Sequence, residues 1–334
     1  MQDTSTRRPG LLSRLKEGLR GAPAAAEPVR TVRVGLNAYG KLPIYKDFIS
    51  AGLTDPGARE FRNWIDRGFS HRWSSDDALK ETSIPRHLFL LRLPESGAFV
   101  TGCLWGSGDE GGLRRFPFTL FAALPDGHPA AEPLAAAEHF DTLDSQADRI
   151  VSTYGAGGSL AEFYRQYRGA AVELPARPPR RVSRETRADL ARMPVSAYAS
   201  ALLGEGASAS WPALRSRVAG LAEEKSADSS GAVRCRLSGS LPRSRELQFW
   251  ILWLAAVNRR RPVTGMLLPA DRGGRVTFFF RSLRPEDFLL LHPTRGDYPF
   301  AVDLTAPGVG AVGTSGAATP DAGWDRPLAE LLEG

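Results

Sequence analysis

Residues 244–258, SRELQFWILWLAAVN, read as a helix that is apolar on nearly every side. A helix lying on a protein surface keeps a polar stripe, whereas one without a stripe has to be covered all round. The run is also too short for the roughly 18 to 20 apolar residues that a membrane span requires. The expectation is a helix sandwiched inside a layered fold. With 334 residues the chain has length for one large domain or two of ordinary size, enough to bury a core without disulfides or metal.

The rest of the pattern is mixed α/β, of the α+β kind: a mainly antiparallel sheet flanked by helices, with a second α/β unit after residue 180. Residues 1–30 read as a flexible arm, in which Leu11, Leu12, Leu15 and Leu19 share a short helical face. Order begins at TVRVGLNAYG, where Val32 and Val34 alternate with polar neighbours. Asp55 and Pro56 open a helix to Trp73 whose Phe61, Trp64, Ile65 and Phe69 recur at helical spacing. Strands follow at 86–93, 98–105 and 116–124, the first two joined by a Pro94–Gly97 turn. Helices at 134–152 and 160–167 complete a first domain over 31–172.

The Pro- and Arg-rich stretch 173–184 reads as a linker. A second domain over 185–305 has helices at 183–192, 195–203 and 211–224, a strand at 232–238, the apolar helix, and a hairpin turning at ADRGGR. This order loosely echoes the first half. The low-complexity tail 306–334 ends in WDRPLAELLEG, where Trp324, Leu328, Leu331 and Leu332 form one apolar face suited to docking in cis or in trans.

Composition narrows the function classes. The 43 Lys and Arg outnumber the 37 Asp and Glu to give a formal net charge of +6, but the arginines are scattered along the chain. A nucleic-acid binder concentrates such charge on one face with interleaved aromatics, so no nucleic acid is expected. The two cysteines, Cys103 and Cys235, lie in apolar strand-like runs and read as buried thiols in a reducing cytoplasm. The N-terminus lacks an apolar signal core, and no integral membrane segment is expected.

Enzyme templates fit poorly. WGSGDEGG (105–112) lacks the Lys and hydroxyl of a phosphate loop and carries Asp109 and Glu110, which repel phosphate. The five histidines, His71, His87, His128, His139 and His292, have no metal-ligand spacing, and no G-x-S-x-G elbow precedes a helix. No catalytic, cofactor or metal residue is therefore expected. One enzymatic alternative stays open: a hydrolase using Asp47, Asp109 and His71 or His128 in a cleft beside the first sheet.

Two loops carry the remaining signal. Gly40-Lys41-Leu42-Pro43 followed by Asp47-Phe48 ends the first strand, because Pro43 removes a backbone donor and holds Leu42 extended. Asp47 is suited to accept hydrogen bonds from loop amides or to pair with Arg114 or Arg115. The second stretch, WGSGDEGGLRRFPFTL, supplies Ser107, Asp109, Arg114, Arg115, Phe116 and Pro117. Between them lies NWIDRGF, with Trp64 and Gly68.

In this order and spacing, over about residues 32–125, the motifs resemble the TagF (ImpM) family of type VI secretion-associated proteins. That pattern has a glycine where Lys46 stands; a lysine there is strained if the position has positive φ. The resemblance implies a cytoplasmic, non-catalytic accessory protein of a bacterial secretion machine, a post-translational repressor that binds a forkhead-associated scaffold protein. Lys41, Leu42, Pro43, Asp47, Phe48, Ser107, Asp109, Arg114, Arg115, Phe116 and Pro117 are then candidates for partner contact or for shaping the loops. A structural subunit of the machine is a further alternative.

Overall fold

The structure is a computed structural model. It describes residues 30–75, 83–176, 184–221, 231–258, 261–271, 274–292, 298, 300–306 and 324–332, the side chains of 71–75 excepted. The arm up to residue 29, Asp76 and Asp77, the arginines of 177–183, Arg259 and Arg260, the tip of the ADRGGR turn and the tail 307–323 lie outside the described residues.

The first expected strand is two strands. β1 (Thr31–Gly35) pairs antiparallel with β7 (Ala171–Pro175) in a separate ribbon. After Leu36 the chain enters the main sheet as β2 (Asn37–Gly40), with β3 (Ile49–Ala51) beside it. Of the stretch read as a linker, Glu173 to Pro175 thus sit in β7, and Arg184 opens a helix.

β4 (His87–Arg92), β5 (Phe99–Trp105) and β6 (Phe118–Leu124) form the expected antiparallel meander. The strands of the C-terminal half are β8 (Ala232–Arg236), β9 (Gly265–Pro269), β10 (Arg275–Phe279) and the short β11 (Val302–Asp303). They continue the same sheet, because β9 pairs antiparallel with β4. The result is nine strands in the order β11-β8-β10-β9-β4-β5-β6-β2-β3, in which only the β11–β8 pair is parallel.

Both faces of this sheet are covered, which explains strands that are apolar at nearly every position. Leu88 and Leu90 point into one core, Phe89 and Leu91 into the other. The first core lies under α2 (Pro133–Tyr154), α3 (Leu160–Tyr167), α4 (Arg184–Arg192), α5 (Val195–Leu203), α6 (Ala207–Gly220) and α7 (Arg243–Val257). The all-apolar α7 is buried from Glu246 to Ala255 and packs against α2, α4 and α6, sandwiched as expected. Trp253 on it stacks with Trp211 on α6, ring centroids 5.6 Å apart.

The opposite core lies under α1 (Pro56–Ser75) and a short 3-10 helix, Pro285–Leu291. Asp55 caps α1, its Oδ1 accepting from the Gly57 and Ala58 amides at 2.7 and 3.3 Å. Trp64 Nε1 donates to the Arg284 carbonyl at 2.8 Å. A Cβ at Gly68 would lie 2.4 Å from the Phe288 ring, so the glycine is what lets the two elements meet. The echo between the halves is one of element order: α1 and α7 cover opposite faces.

The terminal peptide docks in cis. Val195 and Ser196 donate backbone hydrogen bonds to Arg326 and Trp324, both at 2.8 Å, and Leu328 donates to Met193 at 2.9 Å. Leu328 and Leu332 complete the core beneath α4 and α7.

Candidate functional site

β2 runs into the first motif loop where its neighbour β6 begins. Gly40 has φ +129°, and a Cβ there would lie 2.1 Å from the Pro117 carbonyl oxygen. Only glycine permits this approach, which brings 40–48 against 105–117. Leu42 and Ile44 then turn into the core, while Pro43 is half-buried in the wall of a cleft.

The two loops are pinned by charge. Asp109 is buried; its Oδ1 accepts from the amides of Leu113 and Arg114 at 3.1 and 3.2 Å, and its Oδ2 lies 2.7 Å from Arg114 Nε. The Arg114 guanidinium holds the Asp109 carboxyl below the usual carboxylate range. Lys41, only 3% exposed, donates to the Lys46 carbonyl at 3.3 Å and lies 4.0 Å from Asp109 Oδ2. Arg114 reaches across to the same Lys46 carbonyl, and the Glu110 amide donates to the Tyr45 carbonyl at 3.2 Å. Ser107 contributes its carbonyl, which accepts from the Phe116 amide at 3.1 Å.

Of the roles open to Asp47, pairing with Arg114 falls to Asp109 instead, and accepting a loop amide is the one the structure contains. Asp47 is exposed, and its carboxylate accepts from the Phe48 amide next to it at 2.8 Å. Lys46 is unstrained, because no described non-glycine residue has a positive φ.

Aromatic rings line the outer side. Phe48, 40% exposed, stacks on Tyr39 with centroids 5.7 Å apart and meets Phe116 edge to face at 4.8 Å. Lys41 Nζ sits 4.6 Å from the Phe48 centroid. A cleft of about 580 Å³ lies on one side, with Pro43, Ser107 and Asp109 among its walls. A wider groove of about 1200 Å³ lies on the other, between α1 and the second loop. Phe69, Arg115 and Phe116 line both.

Several groove residues were not singled out from the sequence. The Tyr39 hydroxyl donates to Asp66 Oδ1 at 2.6 Å, and the Arg62 guanidinium lies 5.0 Å from the Tyr39 ring centroid. Burial and the Asp66 carboxylate push the Tyr39 hydroxyl's pKa far up. The available signal was the one-turn spacing of Arg62 and Asp66 along the flank of α1's apolar stripe, beside Phe69.

Among the described residues, no histidine lines either depression. His128 accepts the Ala130 amide at 3.1 Å to cap a 3-10 turn, and His139 meets the Thr101 hydroxyl at 3.2 Å. The His71 side chain lies outside the described residues. Among those residues, no group of three or more His, Cys, Asp or Glu is placed to hold a metal, and no described helix is long and apolar enough to cross a membrane.

Residues 37–163 match the family model of the TagF N-terminal domain, Type VI secretion system-associated. The crystal structure of PA0076 from Pseudomonas aeruginosa PAO1 is 22% identical over 42% of this chain and 65% of that one, with a TM-score of 0.36. The match thus spans just under two thirds of that protein's length. No curated protein sequence matches. Residues 37–163, which carry both motif loops and the strands that bring them together, are similar to the TagF N-terminal domains of type VI secretion-associated proteins.

Proposed function

We propose that this protein is a non-catalytic, cytoplasmic regulator of a bacterial type VI secretion system. In this reading it is a post-translational repressor that docks on a machine component through the loops 40–48 and 105–117. A forkhead-associated scaffold protein is the partner class that the family resemblance implies.

One observation carries the reading. The charged motif residues Lys41, Asp109 and Arg114 are engaged with each other and with loop backbone, while two apolar side chains of the same loops, Phe48 and Leu113, stand at the surface beside the exposed Lys46, Asp47, Glu110 and Arg115. Leu113 is 90% exposed and Phe48 40%. Spending the polar groups inside fixes a shape, and exposed apolar residues on a fixed shape suit recognition of a partner.

The test is affinity capture from cytosol of a type VI-competent cell, with wild type and a Phe48→Ala, Leu113→Ala pair, identifying captured proteins by mass spectrometry. Capture of a secretion component by the wild type, lost in the folded variant, supports docking through these loops. Equal capture by both moves the interface elsewhere, and no capture by either removes the regulatory reading. Stoichiometric retention in assembled particles indicates a structural subunit.

A further inference from the structure

The groove between α1 and the second loop has a chemistry of its own. Its walls carry four cationic side chains, Lys41, Arg62, Arg114 and Arg115, against the carboxylate of Asp66 beside Arg62 and that of Asp109 beneath Lys41 and Arg114, so the cationic groups stay in excess. Its apolar surface comes from Tyr39, Phe48 and Phe116, with Leu113 standing in solvent at the rim. A lone exposed leucine is ordinary. One placed at the mouth of a basic, ring-lined groove of about 1200 Å³ is an anchoring point for a ligand of opposite charge.

The neighbouring sheet edge does not offer backbone pairing in its place. β3 is the outer strand of this edge, but the amide and carbonyl of Ser50 at its centre both meet the Tyr164 hydroxyl, at 3.4 and 3.2 Å. A partner strand adding here would have to displace that contact. Recognition beside β3 therefore falls to side chains in the groove.

Building on the regulatory reading above, we infer that this groove receives a short acidic segment of a partner protein. One bulky apolar residue of that segment packs against Phe48, Phe116 and Leu113, and its carboxylates face the cationic walls. The aromatic geometry disfavours single-stranded nucleic acid: Phe48 already stacks on Tyr39 and abuts Phe116, which leaves ring edges rather than an open face for a base. The concavity disfavours a bilayer, whose flat surface cannot follow the walls inward.

The probe is a short fluorescent peptide of Glu and Asp around a central Leu-Phe pair, titrated with the full chain and followed by anisotropy. Binding should weaken with added salt. Leu113→Asp should weaken it by roughly tenfold or more, since it removes the anchor and adds a like charge. That site is 90% exposed, so the substitution leaves the fold intact. Val151→Asp, at a 40% exposed site on α2, should bind as the wild type does.

Several results overturn the inference: no binding by the wild type, unchanged binding by Leu113→Asp, or equal binding of a peptide with lysines for its acids. Preferential displacement of the peptide by oligothymidylate or by phosphatidylserine vesicles does so as well. The two readings fail separately. If the groove is wrong, the wild type still captures a secretion component but not the peptide; if the regulatory reading is wrong, the peptide binds and that capture is missing.

Discussion

Asp109 holds Arg114 twice, accepting its backbone amide at Oδ1 (3.2 Å) and its Nε at Oδ2 (2.7 Å). One carboxylate thus sets both the turn of the second loop and the direction of the guanidinium that crosses to the first. Asp109→Ala should loosen both loops together. Hydrogen exchange should then be at least about tenfold faster at the Glu110, Leu113 and Arg114 amides, with β4 and β5 unchanged. Because the folded carboxyl titrates below its ordinary range, its contribution is present above that range and is lost as pH falls through the folded value. Unchanged exchange in the variant would mean that backbone contacts alone hold the loops.

Gly40→Ala places a methyl group 2.1 Å from the Pro117 oxygen at a backbone φ of +129°. The expected loss is at least about 2 kcal/mol, from strain and the forced separation of β2 and β6. Urea unfolding measures it, and a variant as stable as the wild type would refute the close approach.

Gly68→Ala should destabilise the protein by about 1 to 3 kcal/mol, although alanine is the better helix former by about 1 kcal/mol. The cause is Phe288, which occupies the space where the methyl would go. In a Phe288→Ala background the same change should cost little or become favourable. A double-mutant cycle reads the coupling directly, and additive effects would contradict this packing.

Two buried histidines make stability depend on pH. His87, near Arg234, donates from Nδ1 to the Pro85 carbonyl 2.8 Å away, and burial pushes its pKa down to about 4. Burial pushes His139, beside Thr101 and near His128, down to about 4 as well. The unfolded chain takes up these protons near pH 6.5 and the folded chain does not, so stability falls as pH drops from about 6.5 to 4. Each group accounts for about 3 kcal/mol across that window, present in full above it. Denaturant midpoints at pH 7 and 4.5 measure the total, and His139→Gln should flatten the slope. An unchanged slope in that variant would assign the effect to other groups.

Periodicity revealed most of the local elements because helices and strands write their burial pattern into adjacent residues. The cap by Asp55, the β4–β5 hairpin and the fully buried α7 were all legible in this way. The seam was not. Leu90 pairs with Met266, and nothing in either apolar run says which strand will be its neighbour once both faces are covered. The site was legible in part for a similar reason. Glycine and proline spacing marked the two loops, but the choice of Asp109 over Asp47 as the partner of Arg114 depends on which carboxylate the fold turns inward. Tyr39 was hidden by its role, since a strand tyrosine reads as core until Asp66 is seen beneath its hydroxyl.

The β4–β9 pairing has a mechanical consequence. A peptide bond cut anywhere in 177–183 would leave one fragment holding β1 to β7 and another holding β8 to β11, yet they would share the centre of one sheet. Trp64 bonded to Arg284, and α2 packed on α7, join them again on both faces. The nicked protein should travel as one particle and come apart only when the whole sheet melts, so covalent continuity and structural continuity are set by different parts of this chain.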